Sequence, residues 1–90
     1  MRSRLPLDVA DLARTVAAIA RSRPDAPVNA LLYGAYGELS GEAARAGVDE
    51  PGSLAGREER PTYGELAGAL ASLSAACTAK AARQASRHPA

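Results

Sequence analysis

Apolar side chains recur along this chain at alternating steps of four and three residues, in separate stretches. Leu5, Val9, Leu12, Val16 and Ile19 form the first stretch, and Tyr63, Leu66, Leu70, Leu73 and Cys77 the last. Between them, Val28, Leu32, Tyr36, Leu39, Ala43 and Ala46 keep a similar rhythm. Residues spaced this way share one face of an α-helix. No stretch alternates with the period of two that marks a strand. The pattern predicts an all-α fold in a single domain, residues 1–90. Its form is a three-helix bundle, an antiparallel helical hairpin plus a long third helix.

Polar positions set the expected ends at about 8–22, 28–46 and 62–86. Asp8 is placed to cap the first helix, with Arg21 and Arg23 at the end where the dipole favours cations. Pro24 stops it, and Pro24 to Pro27 reads as a short connector. Gly47 suits the left-handed position past the second helix, with Val48 as the apolar contact of such a cap. Thr62 and Glu65 form a capping box at the start of the third. The segment 47–61 packs two prolines, three glycines and six charged residues into fifteen positions. It is expected to be a flexible connector, a crossover, or the site of one short helical turn near 53–59. The tail 88–90 is expected to fray.

The middle helix carries a second pattern. Ala30, Gly34, Gly37, Gly41 and Ala44 line up on the face opposite its apolar seam. Each glycine costs a helix about 0.8–1 kcal/mol relative to alanine. The stripe therefore predicts a close helix–helix contact, within the chain or between copies. With an apolar seam on one side and this stripe on the other, the helix is expected to be covered from both directions.

Composition pushes the same way. The chain has 22 alanines, ten leucines, four valines, one isoleucine and no Phe or Trp. So few large side chains bury little surface, a shortage that small domains often meet by oligomerising. A homodimer forming a larger bundle is the expected assembly. The formal net charge is only +1, and it divides unevenly. Residues 1–24 hold five Arg against two Asp, residues 38–65 hold seven acids against three Arg, and residues 66–90 hold three cations and no acid.

Chemistry is sparse. One Cys and one His exclude a disulfide framework within the chain and leave no metal-ligand set, and no cofactor motif is present. Cys77 lies on an apolar seam, where a thiol behaves as a small hydrophobe. No catalytic residue is expected, and the chain reads as a non-enzyme. Met1 to Leu7 leads into Asp8 and Asp11 rather than an apolar run, and no stretch approaches ~18 uninterrupted apolar residues. A cytoplasmic protein that does not engage membranes is expected.

Lys80, Arg83 and Arg87 share a helix face and are the candidate contacts for an anion or nucleic acid. Tyr33, Tyr36 and Tyr63 are the candidate lining of a ligand pocket. Thr62-Tyr63-Gly64-Glu65-Leu66-Ala67 resembles the stretch that opens the DNA-binding helical region of alkylguanine-DNA alkyltransferases. That family's reactive Pro-Cys-His-Arg motif is missing, and Cys77 stands in Ala-Ala-Cys-Thr, so the resemblance does not carry the activity over. The leading functional expectation is an interaction or scaffold protein acting through helix packing. The alternatives are a DNA-binding regulator using the basic end of the third helix, and a small-ligand-binding bundle.

Overall fold

A computed structural model describes residues 4–50, 53, 54 and 57–86. Among these are three helices, α1 (Leu5–Ser22), α2 (Ala30–Arg45) and α3 (Tyr63–Ser86). The tail 88–90 lies outside the described residues. The seams read from sequence supply the core, with Leu12, Ile19, Leu32 and Leu39 half-buried at its edge and Ala46, the last seam position of the middle helix, exposed. Leu5, Val9 and Val16 of α1 are buried, as are Tyr63, Leu66, Leu70, Leu73 and Cys77 of α3. From α2 and its flanks come Val28, Tyr36, Ala43 and Val48.

Helix direction follows from which ends meet. Leu5 at the start of α1 shares a cavity with Ala46 beyond α2 and with Cys77 to Gln84 late in α3. Ile19 and Ser22 at the end of α1 meet Tyr63 at the start of α3. α1 is therefore antiparallel to both partners, and α2 and α3 run in the same direction. α1 and α3 form the most extensive contact, and α2 touches α3 least. Within the chain the central pair is α1–α3. Among the described residues, α2 is covered on one side only.

Parallel α2 and α3 explain the long connector. The chain must return along the whole of α2, roughly 24 Å at 1.5 Å per residue, before α3 can begin. Residues 46–62 are that crossover. Its described part is not helical, so no short helical turn is seen there.

The starts and stops have local causes. α1 begins at Leu5 rather than near Asp8, because Pro6 fits the first helical turn, where its missing N–H has no helical partner to lose. Asp8 sits within that turn. Asn29 caps α2, its side chain accepting from the Leu32 N–H at 2.8 Å. Gly47 takes φ +79°. Val48 N–H then donates to Ala43 O at 2.8 Å and Gly47 N–H to Ala44 O at 3.1 Å, a Schellman cap. At α3, Glu65 N–H donates to Thr62 Oγ1 at 3.2 Å and Thr62 N–H donates to Glu65 Oε1 at 3.0 Å. That Thr62 N–H, foremost, holds the Glu65 carboxyl below its usual range.

Candidate functional site

The crossover climbs back along α2 on a ladder of hydroxyl groups. Ser40 Oγ donates to Glu50 Oε1 at 2.6 Å. The Tyr36 hydroxyl donates to the other Glu50 oxygen and accepts from the Leu54 N–H at 3.1 Å. One turn earlier, the Tyr33 hydroxyl donates to Leu54 O at 2.6 Å and accepts from the Arg57 N–H at 3.1 Å. At the top, Val28 N–H donates to Pro61 O at 2.9 Å. Each step joins a lower number on α2 to a higher number on the crossover, as opposed directions require.

Two of the three candidate pocket tyrosines are thus structural. The Tyr33 and Tyr36 rings stack at 6.5 Å with 11° between planes. Their hydroxyls serve the backbone of the connector. Burial, and then Glu50, push the Tyr36 phenol above its ordinary range. Tyr63 is buried apart from this ladder, in a cleft with Ala18, Ile19, Ser22 and Arg23. The three are not gathered around one cavity. Ser40 and Glu50 are not among the residues the sequence singles out. Ser40 lies four residues after Tyr36 on the same helix face, a legible cue. Glu50 has no periodic signal at all.

The small-residue stripe lies on the uncovered side of α2. Ala30, Gly34 and Ala44 are exposed, and Gly37 and Gly41 are half-buried. A methyl group added at Gly34 or Gly37 would meet nothing within 4 Å, and at Gly41 only the Arg45 side chain at 3.6 Å. Leu31, beside the stripe, is 84% exposed. Nothing in the described chain uses this space.

At the basic end, Lys80 is half-buried, Arg83 is exposed and Arg87 lies outside the described residues. Cys77 is buried, and that burial, with the charge of Glu50, pushes its thiol upward. Among the described residues no three His, Cys, Asp or Glu side chains gather as metal ligands. Nor is any helix there long and apolar enough to cross a membrane.

No family model matches the chain, no curated protein matches it in sequence, and no solved structure matches it in fold. The six residues that resemble the alkyltransferase stretch are, in this fold, the capping box and first turn of α3.

Proposed function

We propose that this chain is a non-catalytic interaction protein that self-associates, with the outer face of α2 as its packing surface. The observation that carries the reading is the empty space over Gly34 and Gly37. Glycines inside a helix cost about 1 kcal/mol each against alanine, and the described residues of the single chain make no close approach there in return. A second helix laid along Ala30, Gly34, Gly37, Gly41 and Ala44 would come nearer than the usual 8–10 Å between axes. It would also cover Leu31. A homodimer of this kind supplies apolar burial that a 90-residue, alanine-rich chain lacks. The proposed setting is the cytoplasm, in keeping with a lone thiol and no disulfide framework.

The test is mass in solution across a concentration series. Light scattering should show a mass rising from 9.2 kDa toward its double in the micromolar range. Gly37→Leu should leave the fold intact, because the site is open, and hold the protein at the lower mass. A constant 9.2 kDa up to about 1 mM, equivalent to a Kd weaker than ~4 kcal/mol of binding, would sink the reading.

A further inference from the structure

An apolar notch of about 200 Å³ opens where α1 begins, the chain leaves α2, and α3 continues past both. Leu5, Val48 and Cys77 form its buried lining, and Ala81 and Gln84 its exposed rim. Lys80 stands in the wall, half-buried. Its ammonium lies 3.2 Å from where a methyl on Gly47 would sit. Among the described residues, Lys80 has no ion pair and no hydrogen bond to its ammonium. We propose that this notch binds a small carboxylate with an apolar body, the tail against Leu5, Val48 and Cys77 and the head on Lys80.

Size and charge both bear on the ligand class. An apolar cavity of about 150 Å³ holds a benzene-sized guest, so this one suits a six-carbon chain or ring. The negative ends of the α2 and α3 dipoles and the positive end of the α1 dipole meet here. Each amounts to about half a charge, so about half a negative charge is left over, less than the full positive charge of Lys80. The full charge of Lys80 then decides the sign. The last turn of α2 does not claim that ammonium: Ala43 O and Ala44 O accept N–H groups from Val48 and Gly47, and Lys80 donates to neither. Glu50 carries a full negative charge that reaches Cys77, but it stands outside the lining, turned to the Tyr36 and Ser40 hydroxyls, whereas Lys80 stands in the lining. Cys77, its thiol held neutral by burial, acts as apolar wall.

The notch lies at the end of the bundle and involves none of the stripe residues, so it stands or falls separately from self-association. The experiment is an amide-shift titration of the whole chain with sodium hexanoate, hexanol and sodium acetate. Hexanoate should give saturable shifts at Leu5, Val48 and Ala81, with affinity in the millimolar range expected of so small a ligand. Acetate should give none at the same concentrations. Lys80→Met keeps the stem and removes the charge. It should weaken hexanoate about fivefold while leaving hexanol unchanged. Ala81→Leu, at the exposed rim, should abolish binding of both. The proposal fails if hexanoate gives no saturable shift at these residues up to about 20 mM. It fails equally if acetate matches hexanoate, or if Lys80→Met binds hexanoate as well as the parent chain does.

Discussion

At the residue scale, the hydroxyl of Tyr36 does more than that of Tyr33, although both hold the connector. Tyr36 is fully buried, and removing its hydroxyl leaves a Glu50 oxygen and the Leu54 N–H without their partner. Orphaned buried groups cost about 1–3 kcal/mol, and charged ones more. Tyr33 is only half-buried, so water can replace much of what its hydroxyl supplies. Tyr36→Phe should therefore lower unfolding stability by about 1–3 kcal/mol, and Tyr33→Phe by clearly less, in paired urea melts. The same phenol gives an alkaline signature. Its folded pKa is raised above the ordinary 10.0, chiefly by burial. The folded state thus keeps a proton that the unfolded state releases. Stability is intact below that ordinary value and falls as pH climbs through the raised one. Cys77, raised from 9.0 for the same first cause, adds to the loss from slightly lower pH. Melts between pH 8 and 11 should show the decline, and Tyr36→Phe should flatten its upper part. Apart from the spacing that sets Ser40 one turn after Tyr36, these hydroxyl contacts are not legible in sequence. They join residues 10 to 24 positions apart, through single atoms, and leave no period behind.

At the element scale, legibility depended on repetition. The seam of α3, from Tyr63 to Cys77, is buried at every predicted position because each residue repeats the same helical demand. The Thr62–Glu65 box and the Gly47–Val48 cap were readable for a related reason: each sets two residue types at a fixed offset. α1 starts three residues before the expected position near Asp8, because an acidic cap at Asp8 and a proline in the first turn are both sound openings, and only packing chooses. Burial of Leu5 chose. α3 also holds a contrast that composition does not show. Gly68 has nothing within 4 Å of a would-be methyl, whereas at Gly64 that methyl would lie 3.1 Å from Pro24 O. The carbonyl cannot retreat freely, because it accepts the Gly64 N–H at 2.9 Å and belongs to a proline. Gly68→Ala should stabilise the protein by roughly 1 kcal/mol through helix propensity. Gly64→Ala should destabilise it, the strained contact outweighing that gain. Thermal melts giving both variants the same sign would show that the α3 start does not press on the α1–α2 connector.

At the scale of the whole molecule, the order of the helices was the part hidden from sequence. Short loops suggest antiparallel neighbours, and that holds for α1 and α2. The pairing of α1 with α3 depends instead on the crossover returning the chain, and on Val28 and Tyr63 N–H groups bonding across to Pro61 and Ala26. That arrangement leaves α2 on the outside, with its glycine face bare among the described residues. The consequence separates two accounts of the glycines. If the face meets only water, Gly34→Ala and Gly37→Ala each add about 1 kcal/mol, because the methyl groups enter open space. For a domain of this size that is a rise of roughly 4–8 °C in Tm per substitution, independent of protein concentration. If two copies meet there, the parent chain melts higher as concentration rises, by mass action. Methyl groups on the contact would then hold the backbones apart. The double alanine variant should gain stability when dilute and lose the concentration dependence. Calorimetry of both chains at ~5 and ~500 μM, a span worth about 2.7 kcal/mol of association free energy, distinguishes the cases. A parent Tm that stays fixed across that range would place the glycines in solvent and remove the basis for self-association through α2.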